Sequence, residues 1–515
     1  MTPIQLINNV TTNSHVLVLT NSFKNEFSLP EKVLQFGTGV LLRGLCDYFI
    51  DKANKQHIFN GRIVIVKSTS QGGTDAFALQ DGLYTQFVKG IEAGNTVEET
   101  IINASISRVL SAKDEWTSIL QCAANVAMQV IISNTTEVGI TYTEEKISQV
   151  IPASFPGKLL AWLHERYKIF NGSADAGMII IPTELITDNA TKLKNILIKL
   201  AAYNQLEESF INWLQTANHF CSSLVDRIVP GKINVSETEL GYADDLMLMS
   251  EVYRLWAIET NEQKVIDILS FAQTDSGVVL APDIYKFREL KIRLLNGPHT
   301  LSCGLAVLAG FTTVKEAMAD KDFRNYITQL MQQEIAVAIA DEQINYEAAV
   351  AYSNKVIDRF LNPYLEHKWL SICLQYSSKM LMRNIPNLLN YYKKENSVPP
   401  LIAIGFAAYI VFMKGSKSVT GEFTGTANNA AYVINDDKAP ILHSHWLNEE
   451  VSVVVQGILA DETLWSTDLN QLPGFTDAVV TNVQRIVNSG AKKLIQSIDK
   501  KFSMPSREGF LLSTT

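Results

Sequence analysis

The chain lacks several features that mark specialised classes of protein. Its five cysteines are scattered and form no CxxC pair, so we expect reduced core thiols in a cytoplasmic protein rather than a disulfide framework. The N-terminal segment carries no basic stretch and no continuous apolar core, so the sequence predicts no signal peptide. No apolar run reaches the roughly 18 residues of a membrane span; the best candidate, from Leu401 to Met413, has about 13 and fits a buried helix.

Positive charge is also scarce relative to negative charge. With 44 basic and 53 acidic residues the net charge is −9, which argues against a nucleic-acid or anionic-membrane surface. An anionic small substrate stays compatible with this balance, because the local charge of a pocket can oppose the global sign. No GxSxG elbow, P-loop or zinc pattern is present, and His443 and His445 are expected in a loop rather than in a metal site.

What the chain does contain is an ordinary globular composition, 47% hydrophobic and 19% charged, at a length of 515 residues that predicts two domains. Its first half alternates short apolar runs with helical patterns. The runs lie at 32–36, 62–66, 126–133 and 177–182, and the clearest helical stretches at 40–53, 157–170 and 190–202. This alternation predicts parallel strands covered on both faces, hence a doubly wound α/β sheet of the Rossmann type.

Helical periodicity dominates from Pro282 onward. Helices are expected at 284–295, 313–319, 323–340, 346–361, 369–380, 399–412, 448–459 and 475–489. We therefore predict a Rossmann-type domain at 1–281 and an α-helical substrate and catalytic domain at 282–515, with the functional site in the cleft between them.

A glycine-rich turn follows the first predicted strand. It keeps the first two glycines of the dinucleotide fingerprint, Gly37 and Gly39, whereas Leu42 stands at the third position. The same pattern is typical of a plain turn, and its place at the first strand-to-helix junction favours the cofactor. The candidate cofactor residues here are Phe36, Gly37, Thr38, Gly39, Val40, Leu41, Leu42 and Arg43, the last adding positive charge for phosphate.

Two further strand ends bear on the cofactor. The second strand ends at Lys67 without the acidic residue that would bind an NAD ribose, so Lys67 either favours a 2′-phosphate or is a solvated end residue. After the third strand come Ser133, Asn134, Thr135 and Glu137, which either face the cofactor crevice or cap the next helix.

The strongest chemical signal is the segment KIRLLNGPH, which supplies Lys291, Asn296 and His299. A metal-free carbonyl reductase needs a proton donor, a role that suits a lysine of lowered pKa, and polar groups to hold the developing alkoxide. On a straight helix Asn296 lies roughly 140° and His299 roughly 80° around from Lys291, so convergence requires a break, expected at Gly297-Pro298. The alternative is a solvated helix face with a capping or core histidine.

These segments together resemble the polyol-specific long-chain dehydrogenases, a family that includes mannitol dehydrogenase. The likeness covers nearly the whole chain and is carried by seven segments: 35–44, 80–86, 133–140, 180–186, 222–231, 291–300 and 359–363. The resemblance implies that Lys291 is the catalyst with Asn296 and His299 as its partners, that no zinc takes part, and that the cofactor is NAD.

The resemblance also implies substrate-binding residues. The family's aspartate falls on Asp226, although the pair Asp226-Arg227 could equally be a structural ion pair. Glu184 stands where mannitol dehydrogenases carry an oxyanion-assisting asparagine, and this departure favours the branch that acts on tagaturonate. A family lysine falls on Lys379, and we expect Lys379 and Arg383 to bind a substrate carboxylate, since cations suit it.

The leading hypothesis is therefore NAD-dependent, metal-independent reduction of tagaturonate to altronate, with a small sugar acid as the partner and no nucleic acid or membrane. Fructuronate reduction or mannitol-type polyol oxidation on the same fold is the nearest alternative, against which Glu184 and Ser371 argue, Ser371 replacing a family arginine. A nucleotide-binding regulator without catalysis is the alternative from another class. Oligomeric state is left open by these residues.

Overall fold

A computed structural model describes residues 23–68, 73–135, 139–148, 150–233, 240 and 242–498 of the chain. The chain divides into two compact units, one ending at Phe287 and the other beginning at Arg288. Each unit is described by itself.

The first unit contains thirteen described strands in three sheets. They are β1 (Glu31–Phe36), β2 (Arg62–Lys67), β3 (Tyr84–Glu92), β4 (Asn95–Asn103), β5 (Ile106–Ser111), β6 (Val130–Ser133), β7 (Ile179–Pro182), β8 (His219–Phe220), β9 (Ser223–Asp226), β10 (Gly231–Lys232), β11 (Leu248–Ser250), β12 (Leu255–Glu259) and β13 (Val278–Ala281). The described helices of at least four residues are Lys24–Phe27, Val40–Gly44, Cys46–Lys55, Asp75–Leu79, Trp116–Gln121, Phe155–Ile169, Asn189–Tyr203, Glu208–Thr216 and Gln263–Ile268, with the 3-10 helix Ser270–Thr274.

The main sheet of this unit is parallel, with strand order β5-β2-β1-β6-β7-β8. The order runs outward in both directions from β1, which confirms the predicted doubly wound Rossmann sheet. Alternate residues of β1 enter different cores: Val33 packs with Ile63 and Ile65 on one face, and Leu34 packs with Val64 on the other. Strands β1, β2, β6 and β7 are largely buried on both faces, which explains the apolar runs from which they were predicted. Strands β5 and β8 are partly exposed and were not predicted.

The sequence did not predict the two smaller sheets, β10-β11-β3-β4 and β13-β12-β9. Strand β4 is largely exposed and rich in Asn, Thr and Glu, so it carries no apolar pattern. Its hairpin with β3 turns through Ala93 and Gly94, both at positive φ, a two-residue turn that matches the twist of the flanking strands.

The second unit is mainly helical, as predicted, with a small antiparallel sheet of β14 (Ser416–Lys417), β15 (Phe423–Ala427) and β16 (Ala430–Val433). Its described α-helices, including the one that spans the boundary, are Tyr285–Glu289, Gly297–Ala309, Val314–Ala319, Lys321–Gln329, Ala336–Ile339, Tyr346–Phe360, Trp369–Ile372, Tyr376–Lys379, Ile385–Glu395, Pro400–Phe412, Ala439–His445, Val451–Ala460, Glu462–Trp465, Phe475–Ser489 and Ala491–Gln496. Three π-helical turns interrupt them, at Leu290–Asn296, Leu330–Ile335 and Met380–Asn384.

Several helix predictions need correction. The expected helix 40–53 breaks at Leu45, whose φ of −130° and ψ of −71° are not helical. The loop expected around His443 and His445 is wrong, because both residues lie in helix Ala439–His445. Helix Pro400–Phe412 is buried, as expected, and none of the helices in the described ranges is long and apolar enough to cross a membrane.

Candidate active site

The glycine turn leaves β1 beside the ends of two neighbouring strands. Gly37 donates its N–H to the carbonyl of Val66 at 3.1 Å, and the N–H of Asn134 bonds to the carbonyl of Phe36 at 3.1 Å. Gly37 has φ +131°, a conformation that L side chains rarely adopt, and a Cβ there would lie 3.1 Å from the carbonyl oxygen of Asn134. A Cβ on Gly39 would meet nothing within 4 Å, so the backbone is open on that side.

This geometry fits a nicotinamide dinucleotide. An open glycine backbone next to the first turn of helix Val40–Gly44 allows close approach of a pyrophosphate. Thr38, Val40 and Leu41 are partly exposed around it, whereas Leu42 is buried against Gly37.

Two of the predicted cofactor residues turn their side chains into the interior. Phe36 is fully buried and packs on Phe155, so its backbone alone borders the turn. The guanidinium of Arg43 lies near the ring of Tyr84 and donates to the carbonyl of Leu246 at 2.5 Å. Burial lowers the pKa of Arg43, with the charges of nearby Tyr84 and Asp47 acting in the opposite direction. This burial argues against the expected contribution of the Arg43 side chain to phosphate binding.

The turn after β6 is bound to the end of β7. Ser133 donates its hydroxyl to Glu184 Oε2 at 3.1 Å, and Thr135 donates both its N–H and its hydroxyl to Glu184 Oε1, each at 2.9 Å. Asn134 donates its amide to the hydroxyl of Thr183 at 2.9 Å. Glu184 is 2% exposed, and these hydrogen bonds direct its carboxylate at the turn 133–135. Glu137 lies outside the described residues.

Lys67 and Asp226 are both buried. Lys67 is 7% exposed, which excludes the alternative of a solvated end residue. Asp226 closes β9 and is 6% exposed. The guanidinium of its neighbour Arg227 donates to the carbonyls of Gly44 and Glu251, and it stabilises the fold through these bonds.

In the second unit, Lys291 and Asn296 lie on the π-helical turn Leu290–Asn296, where the N–H of Gly297 bonds to the carbonyl of Ile292. A π turn inserts one extra residue and so moves the residues after it back by about 100° around the helix. Asn296 then lies about 40° and His299 about −20° from Lys291, all three on one face.

The convergence of the three residues therefore has another cause than the one predicted. The irregularity lies just ahead of the expected position: the π turn Leu290–Asn296 ends where helix Gly297–Ala309 begins, and the helix is not interrupted at Gly297-Pro298 itself. A proline inside a helix has no N–H and crowds the carbonyl four residues before it. We attribute the wide turn ahead of Pro298 to this crowding, and the turn Met380–Asn384 also ends just ahead of a proline, Pro386.

His299 is enclosed by rings. It stacks on Phe360 with centroids 3.9 Å apart and meets His367 and Trp369 edge-on at 5.3 and 5.9 Å. It is 8% exposed, and its Nε2 has no hydrogen-bond partner among the described residues. Burial lowers the pKa of His299 well below its ordinary value, and nearby His367 and arginines add to the effect. The imidazole is therefore neutral and able to donate one hydrogen bond.

Two cations lie close to this helix. Arg383, on the turn Met380–Asn384, donates to the hydroxyl of Thr300 at 2.9 Å, and that hydroxyl donates to the carbonyl of Asn296 at 2.9 Å. Lys379 donates to the carbonyl of Ile372 at 3.0 Å. Burial lowers the pKa of Lys379, and the charge of Arg383 lowers it further. The structure thus joins Arg383 to the predicted catalytic segment through one hydroxyl.

Sequence reasoning missed Thr300, Phe360 and His367. Thr300 is the last residue of the segment 291–300 that carries the family likeness, and its position one turn after Asn296 was a usable signal. Phe360 and His367 come from a distant helix and the loop after it, and no spacing along the chain connects them to His299. Within the described ranges, no group of three or more His, Cys, Asp or Glu side chains is arranged to hold a metal ion.

Comparison with known proteins assigns the family. Residues 31–268 match the mannitol dehydrogenase Rossmann domain, and residues 283–487 match the mannitol dehydrogenase C-terminal domain. The chain belongs to the mannitol dehydrogenase family. As a member of this family it is a nicotinamide-dependent oxidoreductase that acts on a CH–OH group, as the sequence predicts.

Individual relatives extend the comparison. The altronate oxidoreductase of Bacillus subtilis (strain 168) is 33% identical, with 92% of this chain and 97% of that protein covered. The altronate oxidoreductase of Halalkalibacterium halodurans is 35% identical, covering 94% of this chain and 97% of the relative. Among solved structures of the mannitol dehydrogenase fold, mannitol 2-dehydrogenase of Pseudomonas fluorescens, in ternary complex with NAD and D-mannitol, is 21% identical. It aligns with a TM-score of 0.63 over 93% of this chain and 96% of that one.

Proposed function

We propose that the chain catalyses the reversible, NAD-dependent reduction of D-tagaturonate to D-altronate, in the cytoplasmic breakdown of hexuronates. The observation that carries the proposal is the π turn Leu290–Asn296, from which helical geometry predicts one shared face for Lys291, Asn296 and His299. The bond from Arg383 to Thr300 of the same helix supports it. The names of relatives with 33% and 35% identity over more than nine-tenths of the chain support the choice of substrate.

The first unit would hold the dinucleotide. The backbone from Gly37 to Gly39 and the first turn of helix Val40–Gly44 would bind the pyrophosphate, and the turn 133–135 would border the nicotinamide half. When bound, the dinucleotide would supply the hydride chemistry of the reaction. NAD rather than NADP is proposed from the resemblance, and Lys67 does not decide it.

The second unit would handle the proton and the negative charge on oxygen. Lys291 donates a proton to the carbonyl oxygen during reduction and takes it back during oxidation. Asn296 and neutral His299 donate hydrogen bonds to the same oxygen, and each such donor is worth about 3 kcal/mol of transition-state stabilisation.

The sugar-acid carboxylate would bind to Arg383 and Lys379. Both are cations on partly buried side chains, where a charge-assisted bond is less screened by water than on an open surface. Asp226 would accept hydrogen bonds from substrate hydroxyls. Such a local positive site explains how a chain of net charge −9 could bind an anion.

The variant Lys291→Ala tests this proposal. It should bind NADH with wild-type affinity, measured by fluorescence titration, yet lose roughly 10²–10⁴-fold in kcat, the contribution of a general acid–base group. Near-normal turnover in this variant would remove Lys291 from the proposed role. A wild-type protein that binds NADH but reduces no sugar acid would favour the non-catalytic regulator.

A further inference from the structure

Glu184 lies just beyond the end of β7 and makes its side-chain contacts on β6's side of the sheet. Oε1 accepts two hydrogen bonds from Thr135 and Oε2 accepts one from Ser133. The residue is 2% exposed, and the three donors lie at 2.9, 2.9 and 3.1 Å. Both carboxylate oxygens are therefore engaged with one short turn.

Thr183 binds the rest of that turn. Its hydroxyl donates to the carbonyl of Ser133 at 2.7 Å and accepts from the amide of Asn134 at 2.9 Å. All three residues from 133 to 135 are thus bonded to the pair Thr183-Glu184. The conformation of the turn depends on a segment about 50 residues further along the chain, and Glu184 supplies three of the bonds.

The turn 133–135 lies directly beside the glycine turn. The N–H of Asn134 bonds to the carbonyl of Phe36, and its own carbonyl oxygen lies 3.1 Å from where a Cβ on Gly37 would be. A displacement of the turn by a few tenths of an ångström would therefore change the space beside Gly37.

Each carboxylate oxygen of Glu184 faces at least one hydrogen-bond donor, so both oxygens must accept. The backbone N–H of Thr135 can only donate, so whichever atom faces it must accept. A glutamine has a single carbonyl oxygen, and its NH₂ group would face either that N–H or the hydroxyl of Ser133. The hydroxyl can rotate to accept, whereas the N–H cannot, so an amide holds the turn less firmly than a carboxylate.

We infer that Glu184 is a positioning residue for the nicotinamide dinucleotide: it fixes the turn 133–135 beside the glycine turn and sets cofactor affinity, without contacting the sugar acid. The inference replaces the substrate-binding role expected from the sequence. It rests on the proposed function only in taking a dinucleotide as the ligand.

The test is NADH binding to the full-length protein without sugar acid, followed by fluorescence and calorimetry, with NADPH in parallel. Glu184→Gln should raise the Kd for NADH about tenfold, the loss expected for one or two hydrogen bonds. At saturating NADH, its KM for the sugar acid should stay within about twofold of wild type. Thr135→Val, which removes one donor, should raise the Kd less, and Thr135→Ser should restore it.

Glu334→Gln is the matched control. Glu334 is also 2% exposed and also accepts backbone N–H groups, those of Leu401 and Ile402 in the second unit. It should lose thermal stability and keep its NADH affinity, which separates cofactor positioning from general destabilisation.

Three outcomes would overturn the inference. They are an unchanged Kd in Glu184→Gln together with a raised KM for the sugar acid, an equal loss of affinity in Glu334→Gln, and no dinucleotide binding by wild type. If Glu184→Gln does not fold, the contrast between Thr135→Val and Thr135→Ser decides. Normal NADH binding with no turnover of tagaturonate would refute the proposed function but not this inference. The Kd values of the variants would still decide the role of Glu184.

Discussion

Replacing Arg383 with alanine should weaken binding of a uronate and leave binding of a neutral ketose nearly unchanged. The guanidinium is partly buried and makes one described bond, to the hydroxyl of Thr300 at 2.9 Å. Thr300 keeps its own bond to the carbonyl of Asn296 in the variant, so no buried donor loses its partner. On the proposed function, the main loss would then be the bond from Arg383 to the substrate.

A hydrogen bond to a charged group contributes about 1.5–3 kcal/mol, and each 1.4 kcal/mol is a factor of ten. The KM for tagaturonate should therefore rise about 10- to 150-fold in Arg383→Ala, whereas the KM for fructose should change less than about twofold. Arg383→Lys keeps the charge and loses the planar fork, so an intermediate value is expected.

The assay is NADH oxidation at saturating cofactor over a range of each substrate. Arg485→Ala is the control: Arg485 donates to the hydroxyl of Ser497, just after helix Ala491–Gln496, and its truncation should leave both KM values unchanged. An unchanged KM for tagaturonate in Arg383→Ala would refute the carboxylate role. An equal rise for fructose would show a general disturbance of the site instead.

Three further predictions concern stability, the glycine turn and a histidine. Glu334 accepts two backbone N–H groups at the start of helix Pro400–Phe412, so Glu334→Gln should lower the free energy of unfolding by about 1–3 kcal/mol in urea denaturation. Burial raises the pKa of Glu334 from 4.5 to about 8, so its folded form keeps a proton that its unfolded form releases. Its contribution to stability should therefore fall as the pH rises from about 4.5 through 8, and a pH slope that persists in the variant would contradict this. Gly37→Ala should lower both stability and NADH affinity because φ is +131° there, whereas Gly39→Ala should lower NADH affinity at unchanged stability; equal melting temperatures for the two would contradict the contrast. In NMR titration His299 should protonate only well below the ordinary range of an imidazole, and a midpoint near 6.5 would contradict the effect of its burial.

The parallel sheet was predictable from sequence because most of its strands are largely buried on both faces. Strands β1, β2, β6 and β7 are then mainly apolar, and their ends could be located from that signal alone. Strands β5 and β8 of the same sheet are partly exposed and gave no such signal. Strand β4 shows the opposite case: it is exposed, its side chains are polar, and only pairing with β3 makes it a strand.

The three π turns of the second unit could not be predicted from composition. A change from α to π hydrogen bonding leaves no mark on hydrophobic periodicity over so short a segment. Pro298 and Pro386 each follow the end of such a turn and offer a retrospective signal, but the turn Leu330–Ile335 has no proline after it. The sequence therefore indicated Lys291 and Asn296 as candidate site residues, but it could not predict that they lie on a π turn.

The surroundings of Glu184 and His299 depend on tertiary contacts. Glu184 meets Thr135 across 49 positions of the chain, and His299 stacks on Phe360 from a separate helix. Residue type indicated chemistry at both positions. It did not indicate that Glu184 binds a turn next to the glycine backbone, because that requires the order of β6 and β7 in the folded sheet.

The most direct test of the proposed function follows NADH oxidation at 340 nm with D-tagaturonate, D-fructuronate and D-fructose side by side, and then with NADPH. We predict clear preference for tagaturonate and for NADH. Preference for fructose would contradict the sugar-acid assignment while keeping Lys291 as the proton donor, and no turnover of any of the three would contradict the proposed reaction altogether.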